Sequence, residues 1–133
     1  MKKELRRFAV WSNVFYLVPL AVSWYLHLVL VAFVLLMAIL FSFAFHAFDE
    51  REFILSDIDA ALVIIIINLV LLYLGGFKPV LFVLIALLAL VAIFIRFVLE
   101  GGNRGGTAHG FWHLFSALVT LLCILSYATS VSG

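Results

Sequence analysis

The sequence predicts an all-helical membrane protein, a polytopic bundle of about five transmembrane spans forming a single domain over residues 1–133. Composition is the first observation behind this prediction. The chain is 68% hydrophobic and only 11% charged, and its mean hydropathy of +1.33 lies far outside the soluble globular range. The second observation is that the apolar residues form long runs, separated by short polar breaks. Each run is long enough to cross about 30 Å of hydrocarbon as a helix.

The predicted spans cover residues 8–26, 28–47, 58–75, 79–98 and 109–128. The first two form a hairpin, because residues 8–47 are too long for one helix in a normal bilayer, and Trp24, Tyr25 and His27 mark the break. The basic start resembles a signal peptide, but no small-residue cleavage site follows, so we expect a retained first helix. The later breaks are the charged segment 49–52, the Gly75–Pro79 segment and the glycine-rich segment 100–106.

Basic residues predict the orientation, since short loops rich in Lys and Arg stay in the cytoplasm. With a cytoplasmic N-terminus and five spans, Lys78 alone lies outside. The other seven basic residues are then all cytoplasmic: Lys2, Lys3, Arg6, Arg7, Arg51, Arg96 and Arg104. We therefore expect a multi-pass integral membrane protein. No nucleic-acid partner is expected, and a homo-oligomer is compatible with the pattern.

Polar residues fall at the predicted cytoplasmic ends of three spans. His46 closes the second span, Asp57 opens the third, and His109 and His113 open the last. Ser42 lies one helical turn deeper than His46, on the same face. Because these helix ends share one side of the membrane, the sequence predicts that the residues meet in one layer between helices.

The residue types indicate a catalytic zinc site. His46, His109 and His113 supply three imidazole ligands, and three protein ligands leave a position for water. Zinc lowers the pKa of a bound water to about 7. Asp57 is then placed as general base or as the group that orients the water. Ser42 is placed either as a hydrogen-bond donor to the developing oxyanion or as a second group that holds the water. The alternative is a structural hydrogen-bond network, although ionisable groups within spans are costly and usually functional.

These motifs resemble the alkaline ceramidases and the wider membrane hydrolase superfamily that includes the progestin and adiponectin receptors. The resemblance consists of Ser-x3-His at Ser42 and His46, Asp57 eleven residues later, and His-x3-His at His109 and His113. A further match is the segment Trp11-Ser12-Asn13 followed by Pro19. The eleven-residue interval between His46 and Asp57 favours the ceramidase branch over the receptors.

The resemblance implies a zinc-dependent hydrolase that cleaves a lipid amide such as ceramide, with its site near the cytoplasmic face. It covers the first three spans and the last. Family members have seven spans, so a second subunit is an expected source of part of the substrate cavity. Ceramidases also carry an acidic calcium-binding segment before the first core helix. Here that region is basic, which argues against a calcium site.

Two other functions remain open. In a receptor or sensor, zinc is structural and lipid binding shifts the helices without hydrolysis. In a transporter, histidines line a path across the membrane, which the single polar layer disfavours. The amides of Asn13 and Asn68 lie inside spans, where each is expected to bond to another helix, with Asn13 nearer the site. His27, on the outer side, is expected to be an interfacial anchor.

Overall fold

The computed structural model describes residues 8, 10–48, 51–99 and 107–131, with the side chains of residues 46–57 left out of the description. Over this part of the chain the fold is helical throughout, with no strand, which confirms the all-α prediction. The order is a 3₁₀ turn at Asn13–Tyr16 followed by five helices, α1 to α5. They span Leu17–Tyr25 (α1), Val29–Phe48 (α2), Arg51–Leu74 (α3), Pro79–Phe94 (α4) and Thr107–Val131 (α5), and a π-helical turn at Ile95–Leu99 extends α4.

The predicted hairpin break between the first two spans is confirmed at Leu26–Leu28. His27 adopts φ 57°, and the N–H of Leu28 donates to the carbonyl of Ser23 at 2.8 Å. The N–H of His27 donates to the carbonyl of Trp24 at 3.1 Å, completing the bonding pattern of a Schellman cap. Histidine is one of the non-glycine residues that adopt this left-handed conformation more readily.

A second cap of the same kind ends α3 at the predicted Gly75–Pro79 break. Gly76 adopts φ 71°, and the N–H of Phe77 donates to the carbonyl of Leu72 at 3.3 Å. Pro79 then occupies the first position of α4, where its missing N–H is not needed.

The start of α3 differs from the sequence prediction. The apolar run suggested a span from residue 58, but the helix already begins at Arg51. Asp57 therefore lies in the second turn of α3 and not at its start. Charged residues such as Glu52 are well tolerated in the first turns of a helix, where acidic groups complement the helix dipole, so the helix extends beyond its apolar part.

Helix α5 is the centre of the bundle. It packs against the N-terminal 3₁₀ turn, α1, α3 and α4, whereas α2 packs against α1 and α3. Its residues Ile124 and Cys123 are fully buried. Over the described residues, α3 and α4 each pack on α5 but have almost no direct contact with each other, although they are consecutive in the chain. The two helices therefore diverge and leave a groove with α5 as its floor.

Two helices, Pro79–Leu99 and Thr107–Val131, are long and apolar enough to cross a membrane. The apolar windows of these helices are only 17% and 28% buried, unlike the core helix of a soluble protein. Shorter apolar stretches occur at Val29–Phe45 and Ile58–Leu74. The five-span topology and the cytoplasmic N-terminus stay predictions.

Candidate functional site

His113 is the centre of a buried polar cluster at the start of α5. Its side chain is 3% exposed and contacts hydroxyl groups through both ring nitrogens. Ser12 Oγ lies 2.8 Å from Nδ1, and Ser42 Oγ lies 3.5 Å from Nε2. Three segments that are distant in sequence therefore meet at one imidazole: the N-terminal helical segment, α2 and α5.

The two contacts of His113 are unequal. The distance of 2.8 Å to Ser12 is that of a short hydrogen bond, whereas 3.5 Å to Ser42 lies at the limit of one. Ser12 therefore holds the ring through Nδ1, and the Nε2 side of the ring faces Ser42. When the Ser12 oxygen accepts a hydrogen bond from Nδ1–H, Nε2 carries a lone pair, which is the tautomer that a metal ligand needs.

His109 lies one turn before His113 and is 2% exposed. The two rings meet edge to face, with centroids 4.6 Å apart and an interplanar angle of 72°. Two imidazoles bound tetrahedrally to one zinc ion at about 2.0–2.1 Å have centroids about 5 Å apart. The observed edge-to-face contact, at 4.6 Å, packs the two rings directly against each other on one face of α5.

The N-terminal segment closes over the first turn of α5 because Gly110 has no side chain. A Cβ atom at Gly110 would overlap the ring of Phe8. The Phe8 ring also packs against Phe111, with centroids 5.8 Å apart. This close approach brings Ser12 within reach of His113 and covers the histidine pair.

A small pocket of about 30 Å³ adjoins His113 and Ser42. Tyr16 forms part of its wall and meets the His113 ring edge to face, with centroids 6.1 Å apart. A cavity of this volume can hold a water molecule next to polar partners. Its remaining lining comes from the N-terminal segment, α2, α3 and α5: Asn13, Ala38, Ala60, Ala61, Ile64 and Trp112.

A larger groove of about 200 Å³ lies next to this pocket, between α3 and α4. Tyr16, Ala61, Ile64 and Trp112 line both. From Ala61 to Leu72 the groove follows α3 for about 16 Å, at 1.5 Å per residue. Its lining is almost entirely apolar, and rim residues such as Leu69, 60% exposed, show that it is open on its side.

The described side chains include only part of the predicted site. Ser42, His109 and His113 are brought together, whereas His46 in α2 and Asp57 in α3 have side chains outside the described residues. Among the described side chains, which do not include those two, no group of three or more His, Cys, Asp or Glu could hold a metal ion. The zinc ligand set and the role of Asp57 stay predictions.

Sequence reasoning did not identify Ser12 and Tyr16 as contacts of His113. Their spacing of four residues places them on one helix face, which was the available signal. Asn13, expected to support the site, lines the small pocket, and its Nδ2 donates to the carbonyl of Val10 at 3.3 Å. The prediction that Asn68 bonds to another helix is confirmed, since its Nδ2 donates to Thr120 Oγ1 at 3.1 Å.

Comparison with protein families, with curated proteins and with solved structures finds no match for this chain. The likeness to alkaline ceramidases consists of short helix-end motifs and stays a resemblance. The features of the molecule that bear on function are therefore the buried histidines, the hydroxyl groups around His113 and the adjoining groove.

Proposed function

We propose that the chain is a multi-pass membrane hydrolase that cleaves a lipid amide at a zinc site formed by His46, His109 and His113. One observation carries the proposal: a buried histidine pair, of which His113 contacts two serine hydroxyls, lies beside an apolar groove that is open on its side. The polar cluster supplies groups that bind a metal and a carbonyl, and the groove supplies room for a hydrocarbon chain.

Burial favours a metal site over a packing cluster. His109 and His113 are 2% and 3% exposed, and polar groups are costly to bury in an apolar bundle unless they are satisfied. Ser12 satisfies Nδ1 of His113 at 2.8 Å, whereas the contact of Nε2 with Ser42 is marginal. A metal ion bound by Nε2 would be a stronger interaction than this 3.5 Å contact.

The chain's own residues divide the remaining tasks. A bound zinc ion would activate water near neutral pH and polarise a carbonyl group. Ser12 holds the His113 ring, and with its oxygen as the acceptor of Nδ1–H the ring would be in the ligand tautomer. Ser42, beside Nε2, is positioned to donate a hydrogen bond to the substrate oxygen as negative charge develops there.

Asp57 is assigned the proton from the attacking water. Its register supports this role, because Ala60 and Ala61, which line the small pocket, follow it by about one turn of α3. His46 follows Ser42 by one turn of α2, which places the third proposed ligand at the same end of the bundle.

A lipid substrate suits the groove better than a water-soluble one. This groove, which we call the acyl groove, is lined mostly by apolar side chains, and its opening between α3 and α4 is flanked by the exposed apolar residues Ile65, Leu69 and Ile93. A chain entering sideways from the bilayer would stay in an apolar environment throughout. A polar substrate would gain no compensating contacts in such a groove.

The proposed topology places all five helices across the bilayer with a cytoplasmic N-terminus. Helices α2 and α3, of 20 and 24 residues, are about 30 and 36 Å long, which suits the hydrocarbon thickness. The basic residues support the orientation. The orientation is tested with a cysteine-free protein into which single cysteines are introduced. Each cysteine is then labelled from either side of sealed vesicles. If a cysteine that replaces Lys78 is labelled from the cytoplasmic side, the protein has the opposite orientation to the one proposed.

The test of function is release of fatty acid from an N-acyl lipid by the protein reconstituted in vesicles with zinc. The parent and the Ser23→Ala variant, which changes a buried serine away from the site, should both release product. His113→Asn should release none. Zinc and lipid binding without product in the parent would favour the receptor or sensor function, and binding of neither would contradict both.

A further inference from the structure

Arg96 continues the face of α4 that lines the acyl groove. The groove-lining residues of this helix are Ile85, Ala89, Ala92 and Ile93. Arg96 follows Ala92 by four residues and Ile93 by three, the intervals at which helical residues share a face. It lies in the π-helical turn Ile95–Leu99, which extends α4 beyond the groove, and its side chain is half-buried. A guanidinium group therefore lies at the end of a mostly apolar groove.

This end of the groove is level with the buried histidines. Helix α4 starts beside the end of α5, where Lys78 Nζ donates to Thr129 Oγ1 at 2.7 Å. Arg96 follows Lys78 by 18 residues, and Phe111 precedes Thr129 by the same number. Both helices rise about 1.5 Å per residue, so Arg96 lies within about one turn of the depth of Phe111, between the two histidines in sequence. The π turn also packs against α5.

The side chain of Arg96 has the chemistry to bind an anion at this position. Its guanidinium is always charged and presents its donors in a fixed fork that matches a carboxylate or a phosphate. Its aliphatic stem can extend along the apolar wall while the charged end stays at the mouth of the groove. Because the side chain is half-buried, an ion pair here is screened less than one on an exposed surface. The position therefore favours a lipid with negative charge close to its amide.

We propose that the lipid amide carries an anionic group on the amine side of the amide, and that Arg96 binds this group while the acyl chain lies in the acyl groove. The inference rests on the proposed function, which places the amide carbonyl beside His113. An N-acyl amino acid has this chemistry, since one carbon separates its carboxylate from the amide nitrogen. A phosphate on the amine side offers the same charge. Ceramide, whose head group is neutral, offers only hydroxyl groups to the guanidinium.

Hydrolysis of an N-acyl amino acid breaks the amide C–N bond. The oxygen of water joins the acyl carbon, and a proton goes to the amine, so the products are a fatty acid and an amino acid. Binding of the anionic head group requires neither zinc nor this reaction. Binding is therefore measured alone, with a chelator present, so that its outcome is separate from that of the hydrolase assay.

The experiment compares equilibrium binding of N-stearoylglycine and N-stearoylethanolamine to purified full-length protein in a non-ionic detergent. The two lipids share the chain and the amide, and they differ in a carboxylate against a neutral hydroxymethyl group. The parent should bind the glycine lipid about tenfold more tightly. Arg96→Gln should lose this preference and should bind the ethanolamine lipid as tightly as the parent. Lys78→Gln, which removes a positive charge at the other end of α4, should keep the preference.

Equal affinity of the parent for the two lipids would overturn the proposal. A preference that persists in Arg96→Gln, or one that is also lost in Lys78→Gln, would overturn it too. If the glutamine variant does not fold, the methyl ester of N-stearoylglycine decides the question with the parent alone. This uncharged lipid should bind like the ethanolamine lipid, and binding as tight as that of the free acid would contradict recognition of the anion.

The phosphate ester of N-stearoylethanolamine distinguishes the two sources of charge. Tighter binding of this lipid than of N-stearoylglycine, lost in Arg96→Gln, would support the proposal with a phosphate as the anion. The reverse order would support it with a carboxylate. A preference for either anion without product in the zinc-dependent assay would uphold the anion site and contradict the hydrolase.

Discussion

Replacing Ser12 with alanine tests the hydrogen bond that holds the proposed ligand His113. Ser12 is 1% exposed, and its Oγ lies 2.8 Å from His113 Nδ1. The substitution removes the hydroxyl and leaves the helix backbone unchanged. We expect it to weaken zinc binding because the ring loses the group that favours its ligand tautomer and fixes its orientation.

The expected magnitude follows from the chemistry of ligands held by outer hydrogen bonds. Loss of such a partner costs about 10- to 100-fold in metal affinity. Removing one partner of a buried hydrogen bond also destabilises the fold by about 1–3 kcal/mol, so the melting temperature of the metal-free protein should fall. The affinity is measured by competition with a zinc-binding indicator, and the stability by thermal unfolding in detergent.

Ser23→Ala is the matched control. Ser23 is equally buried and lies on the same N-terminal hairpin, but its Oγ donates only to the carbonyls of Pro19 and Leu20 at 2.8 and 3.0 Å. It should leave the zinc affinity unchanged. Equal zinc affinities for the two variants would refute the role of Ser12 and, with it, the tautomer assigned to His113.

Three further substitutions test other parts of the account. Ser42→Ala should lower the turnover rate by about 100-fold or more and leave the zinc content at the parent level, because the hydroxyl is proposed to stabilise the oxyanion and not to bind zinc. Loss of zinc from this variant would contradict that role. Ala89→Phe should fill the acyl groove and abolish stearic acid binding, whereas Leu90→Trp, on the exposed side of α4, should leave that binding unchanged. Equal stearic acid binding by the two variants would show that the lipid chain binds elsewhere. Gly75→Ala should destabilise the fold by about 1–3 kcal/mol, because the added Cβ would lie 2.9 Å from Ser126 Oγ and 3.1 Å from the Ser126 carbonyl carbon. An unchanged melting temperature would contradict this close packing of the end of α3 on α5.

The helices and their breaks were largely predictable from the sequence. Long apolar runs predict helices, and the Gly75–Gly76 pair followed by Pro79 marks a helix end and the next helix start. The break near His27 carried a weaker signal, since no glycine or charge marks it. The start of α3 at Arg51 was missed because hydropathy detects the apolar part of a helix and not its charged first turns.

The polar cluster was only partly predictable. Ser42, His109 and His113 follow from their positions at helix ends, and these side chains do meet, since His113 contacts both of the others. The contact of Ser12 with His113 spans 101 residues of sequence and depends on how the N-terminal segment crosses α5 at Gly110, which no local pattern encodes. The acyl groove was not predicted either, because it arises from the divergence of two consecutive helices.

The most direct test of the central claim is the zinc content of purified protein, measured by mass spectrometry with the same substitution at different histidines. The parent should carry about one zinc ion per chain, and His109→Asn and His113→Asn should carry none. His27→Asn is the control, since His27 lies in the exposed turn after α1 and asparagine tolerates its φ of 57°. Zinc retained at the parent level in both site variants, or absent from folded parent protein after zinc addition, would contradict the metal site.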